Sequence, residues 1–308
     1  MYNILDMSNP VDQHIIPKCH LKNFVDYSLP KNKGKRVWIF NKKDKVGRDQ
    51  HIRSTLTSEH FYTIGNDDFR VETSLQQIED KYSKIFDSKI SKKLPLNIEE
   101  HVFFCAFVAS MIQRTVAQRE NIEHMFDQII ERLSVIEVET GKVSKAKQEW
   151  IEKKKNAHSF SIIQMLPEMT NIMVEMNIAF FCSQTKTHFI TSDNPAFLFN
   201  SKLQFYPMYS PGLGQKDVEI RMPLSPEIAV CFSWINNVRG YLGFKKDEVD
   251  DWNRMTYGHS HEYFISNSPK TKKIWFNSMP RDLFFRGKVM KHKLLSWYRR
   301  RKYVSRNR

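Results

Sequence analysis

Val102 to Ile112 (VFFCAFVASMI) is apolar on nearly every side of a helix, and this run limits what the rest of the chain can be. A helix without a polar face has to be covered all round. A segment from Glu99 to Glu120 is therefore expected as the buried central element, with other helices and a sheet packed on it. The run is shorter than the roughly 20 apolar residues that span a bilayer. It turns polar abruptly at Gln113-Arg114-Thr115, which places an arginine at the end of an otherwise buried helix.

The flanking segments supply the cover. Pro17 suits a first helical turn, with Leu21 and Phe24 on one side. Val37 to Phe40 and Phe61 to Thr63 read as short strands. Leu75, Ile78, Tyr82, Ile85 and Phe86 form the apolar stripe of a helix from about Glu72 to Ile90, and Glu72, Gln76, Glu79 and Ser83 line its shoulder. Asn97 is placed to cap the central helix. Ile122 to Leu133 marks another amphipathic helix that Gly141 ends. A charge-rich exposed helix over 142–158 and a helix from Ile162 to Met176, interrupted at Pro167, complete the helical half.

Strand patterns follow. Ile178 to Cys182 and His188 to Thr191 are expected as a hairpin, with Val218 to Met222, Ile228 to Trp234 and Glu262 to Ile265 as further strands around a helix from Lys246 to Tyr257. Helices first and strands second argue for an α+β fold: a central buried helix, surrounding helices, a mainly antiparallel sheet and a basic C-terminal extension. Residues 12–268 read as one domain and 269–308 as the extension.

Charge separates these two parts. The chain of 308 residues carries a net charge of +14, and Lys270 to Arg308 holds 14 Lys and Arg against one acid, Asp282. The body is thus nearly neutral and the extension carries the field. Its residues 286–308 mix bases with aromatics, as in Trp297-Tyr-Arg299-Arg300-Arg301-Lys302, the combination that neutralises phosphates and stacks on unpaired bases. Nucleic acid is the expected partner there, against a solvated helix, an acidic protein or an anionic membrane surface. Four dispersed cysteines without a C-x-x-C pair read as free buried thiols. The N-terminus lacks the pattern of a signal peptide, so the expected location is the cytoplasm. Oligomeric state is not legible.

Chemistry can only come from scattered polar groups. Asp193 and Asn194, in Thr191-Ser-Asp-Asn-Pro195, sit where a strand ends in a turn; they can ligate a metal and donate to an anion, or simply bond the local backbone. Glu72 and Glu79 share a helix side, as paired ligands or acid and base would, and as a solvated face would too. Arg114 wants a carboxylate or an anionic ligand, because an unpaired buried charge is costly; Glu72, Glu79 and Asp193 are its candidate partners. His14 is a candidate base or ligand. His259 and His261 form a weak metal-like pair.

His14-x-x-Pro17-x-x-x-Leu21-x-x-Phe24, Phe61-Tyr62, Glu72 with Glu79, Gln113-Arg114-Thr115, Thr191-Ser-Asp-Asn-Pro195 and Pro223-Leu-Ser-Pro226 together resemble the bacterial family catalogued as domain of unknown function 4238. The resemblance covers about residues 12–266 and implies no activity. It does imply that His14, Glu72, Glu79, Gln113, Arg114, Asp193 and Asn194 belong to the family pattern, which favours their sharing one site. Ile15 departs from it where an aromatic residue is common. Two functions are expected from these residues. One is a phosphodiester hydrolase on nucleic acid, as in a toxin or defence effector, with Glu72, Glu79 and Asp193 holding magnesium or manganese, His14 as base or ligand, Arg114 on phosphate charge, and Gln113, Asn194 and the tail on substrate. The other is a non-enzymatic nucleic-acid or protein-binding module in which the same residues form a structural network.

Overall fold

A computed structural model describes residues 12–65, 67–141, 145–200, 212–235 and 239–277. In chain order its elements are β1 (Asp12–His14), α1 (Lys18–Leu21), β2 (Arg36–Asn41), β3 (Gly47–His51), β4 (Thr57–Glu59), α2 (Arg70–Ile85), α3 (Ile98–Gln113), α4 (Val116–Thr140), α5 (Lys145–Lys154) and α6 (Ala157–Glu175). The second half adds β5 (Asn177–Ser183), β6 (Thr191–Ser192), β7 (Phe197–Phe199), β8 (Glu219–Pro223), β9 (Ile228–Ser233), β10 (Gly240–Phe244), α7 (Lys246–His259) and β11 (Tyr263–Ser266). The fold is α+β, with mostly antiparallel strands. Among the described residues, no helix is long and apolar enough to cross a membrane.

The five-stranded sheet runs β10-β5-β9-β8-β7, antiparallel except for the β10–β5 pair. It is covered on both faces, which is why β9 reads as an unbroken apolar run. Alternate residues serve the two sides. Phe180, Ile228, Val230 and Phe232 join the main core beneath α3, while Ala179, Phe181, Ala229 and Cys231 pack with Trp252 of α7. Phe104 of α3 meets Phe180 at 5.7 Å and Phe232 at 6.0 Å between ring centres. A second sheet, β3-β2-β11-β6, lies beside it, with Phe40 stacked on Phe264 at 4.8 Å. β1 and β4 pair separately.

The central helix is shorter than its sequence suggests. It opens with the expected cap, since Asn97 accepts from the Glu100 amide and Glu100 returns the bond to Asn97. It closes at Gln113, and the expected single span from Glu99 to Glu120 is two helices. Tyr62 donates its hydroxyl to the Arg114 carbonyl at 3.0 Å, and Thr115, in extended backbone, caps α4 through the Gln118 amide at 3.2 Å. Side chains thus replace the helical bonds at Arg114–Thr115. Phe104, Phe107, Val108 and Met111 are fully buried, but Val102 is 38% exposed, so the first turns are open on one side.

Other expectations change for equally local reasons. Phe61 to Thr63 is not a strand, because side chains take its backbone groups: Gln13 accepts from the Tyr62 amide and Ser159 donates to the Tyr62 carbonyl. The hairpin around Gln184 does not form. Asn253 of α7 accepts from the Ile190 amide and donates to the His188 carbonyl, drawing this stretch to the second sheet, where Thr191 and Ser192 pair with β11. Pro167 sits inside a continuous α6. β1, β3, β4, β7 and β10 are not legible in the sequence, whereas the Gly141 stop, in left-handed backbone, is as expected. All four cysteines are free. The start of the basic extension is anchored, with Lys272 and Trp275 both donating to Asp250 of α7. Trp297, Arg299, Arg300, Arg301 and Lys302 lie outside the described residues.

Candidate functional site

Arg114 organises the polar residues at the junction of α3 and α4. It is 1% exposed, and all three guanidinium nitrogens have protein acceptors. Nη1 donates to Glu79 at 2.6 Å, Nη2 to the His14 carbonyl at 2.6 Å, and Nε to the Tyr62 hydroxyl at 3.2 Å. Glu79 is therefore the partner among the three carboxylates considered from sequence. These bonds tie α2, β1 and the Tyr62 segment to the end of the central helix. An arginine held this way has no group turned to a substrate, so the phosphate-stabilising role expected for Arg114 does not fit the geometry. The Tyr62 phenol, pushed up to about 12 mainly by burial, stays protonated and bridges both sides of Arg114.

Glu72, seven residues before Glu79 on the same side of α2, is treated differently. Its Oε2 is buried without a hydrogen-bond partner. Burial raises its pKa above the ordinary 4.5 and the Glu79 charge adds to the rise, while Arg114 and Lys18 pull it down without cancelling it. A half-buried carboxyl that retains its proton more readily than a free glutamate has the character of a proton-transfer group.

His14 borders the same cluster. Its Nε2 faces the Ile52 carbonyl at 3.3 Å, an acceptor, so that nitrogen carries the proton. Burial, helped by the Lys18 charge, lowers the ring's pKa to about 4, leaving it neutral at physiological pH. Cys19 is not a thiolate nucleophile, because burial and the Glu79 charge push its thiol far up.

Asp193 does not join this cluster. Its Oδ1 accepts from the His261 amide at 2.8 Å and its Oδ2 from Glu262 and Tyr263 at 2.6 and 2.8 Å, which fastens the turn before β11. Burial raises its pKa and those three amides pull against the shift. Among the described residues, no three His, Cys, Asp or Glu side chains are grouped to hold a metal ion. The ligand set Glu72, Glu79 and Asp193 is thereby corrected: the first two are neighbours and the third is occupied by backbone. Asn194 donates to the His259 carbonyl at 2.9 Å, which is backbone bonding in place of the anion contact expected. Gln113 donates to Met169 Sδ at 2.8 Å and is buried, so it faces the core and not a substrate. His259 stacks on Phe197 while His261 faces Glu120, so these histidines form no pair.

The structure therefore brings together His14, Glu72, Glu79 and Arg114 and leaves Asp193 and Asn194 elsewhere. Sequence reasoning gave no role to Lys18, Gln13 or Tyr62, although Tyr62 belonged to the family pattern. Adjacency to His14 was the only available signal for Gln13, and no spacing rule marks Lys18.

A model of the family described as "Protein of unknown function (DUF4238)" matches residues 12–270. No curated protein and no solved structure matches the chain.

Proposed function

We propose, for a chain that belongs to the DUF4238 family of proteins of unknown function, a hydrolase that cleaves phosphodiester bonds in nucleic acid with Glu72 as its proton-transfer residue. The observation that carries this reading is the buried Glu72 Oε2, which has no protein partner and belongs to a carboxyl with a raised pKa. In the same reading His14, whose carbonyl is held by Arg114 and whose ring is neutral, is the second candidate for proton transfer, and Lys18 supplies positive charge at the surface. Arg114, Glu79 and Tyr62 hold these groups in place. Recruitment falls to the basic residues of 286–308.

Two versions of the chemistry use these residues. In the first, Glu72 moves the proton itself. In the second, Glu72 and Glu79 would hold magnesium or manganese, which would supply positive charge for the substrate phosphate; such ions take few protein carboxylates and complete their shell with phosphate and water. The Glu79 charge adds, behind burial, to the rise in the Glu72 pKa, and a cation bound there would offset it.

The test is cleavage of labelled RNA and single-stranded DNA by the full chain, with magnesium, manganese or EDTA. Glu72→Gln is expected to stay folded and to lose activity by about 100-fold or more, the usual weight of a positioned acid or base. Persistence in EDTA selects direct proton transfer, and loss selects the metal. Full activity in Glu72→Gln overturns the reading. Binding without cleavage by the wild type selects the non-enzymatic module, which the complete internal bonding of Arg114 and Asp193 favours.

A further inference from the structure

A cleft of about 410 Å³ opens where the connection between α2 and α3, the junction of α6 with β5 and the first residues of β10 meet. It is remote from Glu72, which lies in the first turn of α2, because that helix is about 24 Å long and the cleft begins beyond its far end. Its volume falls within the roughly 300–1,000 Å³ of small-molecule pockets. Leu94, Leu96, Val174 and Ile178 line it, with Phe180 and Tyr241 stacked in parallel at 4.7 Å. The rim is fixed by the Tyr241 hydroxyl, which donates to the Leu94 carbonyl at 3.0 Å just after Lys93 turns the chain in left-handed backbone.

Few polar groups converge on this apolar wall, and each has unused bonding capacity. Arg239 is exposed, and its Nε is held by Asn177 Oδ1 at 2.5 Å, which orients the guanidinium. Among the described residues no carboxylate pairs with it, so its two terminal amino groups form an unoccupied fork of the kind that takes a carboxylate through two parallel bonds. His101 lines the same cleft, and its Nε2 is buried without a partner. Glu175, on the wall, repels a dianion such as a phosphomonoester more strongly than it repels a single carboxylate.

We propose that this cleft binds a small monocarboxylate with an apolar body, its carboxylate seated on the Arg239 fork and its body against Phe180, Tyr241 and the leucines. Free acids and apolar amino acids share this chemistry, and Glu175 is the residue that separates them, because it attracts an ammonium. The inference does not depend on the hydrolase reading.

Isothermal titration of the full chain with 3-phenylpropionate and with phenylalanine tests it. Saturable binding of at least one is expected, and Arg239→Ala, a surface change, is expected to weaken it by about tenfold or more. Tighter binding of phenylalanine, lost in Glu175→Gln, identifies the amino acid as the preferred class; tighter binding of the free acid, strengthened further in that variant, identifies the acid. Absence of binding by both up to about 10 mM, or undiminished binding in Arg239→Ala, overturns the proposal.

Discussion

Arg114→Ala is expected to lower the free energy of unfolding by about 3–5 kcal/mol in urea denaturation. The substitution removes a side chain that is 1% exposed, leaving the Glu79 carboxylate, the His14 carbonyl and the Tyr62 hydroxyl without their donor. Most of the loss comes from the unpaired acceptors and the cavity, since a well-made buried pair contributes little more than packed apolar groups would. That origin has its own test. Arg114→Met with Glu79→Gln should cost less than Arg114→Met alone, because the carboxylate no longer has to ionise beside a missing partner. Arg114→Lys should be intermediate, as an ammonium cannot reach three acceptors lying in different directions. Unchanged stability in Arg114→Ala would mean that the guanidinium is free for a ligand after all.

Acid should unfold the protein near pH 5. Burial lowers His14, His158 and His259 from 6.5 to about 4 and His20 to about 3, so the folded chain keeps these rings neutral where the unfolded chain takes up protons. The sign follows directly. Their full contribution to stability is present above 6.5 and is lost as pH falls toward 4. The three most buried rings, His20, His158 and His259, each change stability by about 1.4 kcal/mol per pH unit in that window, so together they reach about 4 kcal/mol per unit, and half-buried His14 adds less because solvent screens it; the sum is a large fraction of the roughly 5–15 kcal/mol that holds a typical domain. Glu72, Asp193 and Asp251 act in the opposite sense, since burial makes each retain a proton more readily when folded. Urea midpoints measured from pH 7.5 to 4.5 should therefore fall steeply, and His158→Gln should reduce the slope by about a quarter. Flat midpoints would contradict the burial of these rings.

What the sequence discloses here is local. The capped start of α3, the Gly141 stop and the apolar stripe of α2 each depend on residues a few positions apart, and each is where periodicity and capping place it. The burial of Arg114 was readable from its place at the end of an apolar run. Its partner was not, because Glu79 lies 35 residues away and competed with two other carboxylates of equal standing in sequence. The division of the polar residues was hidden for the same reason. Asp193 looks like a ligand until three amides from His261, Glu262 and Tyr263 are seen to occupy it, and those amides have no signature in side-chain identity. Phe61 and Tyr62 suit a strand in sequence, whereas Gln13 and Ser159 satisfy the Tyr62 backbone from other parts of the chain.

Proton transfer in this protein rests on one carboxyl, that of Glu72. Carbon-13 NMR titration of the side-chain carboxyls in the full chain, with Glu72 assigned by the signal missing from Glu72→Gln, reads it directly. Burial beside Glu79 predicts that the Glu72 signal titrates above the ordinary glutamate value of 4.5. Titration at or below that value would show a carboxylate ionised by Arg114 and Lys18, and would remove the ground for assigning proton transfer to this residue.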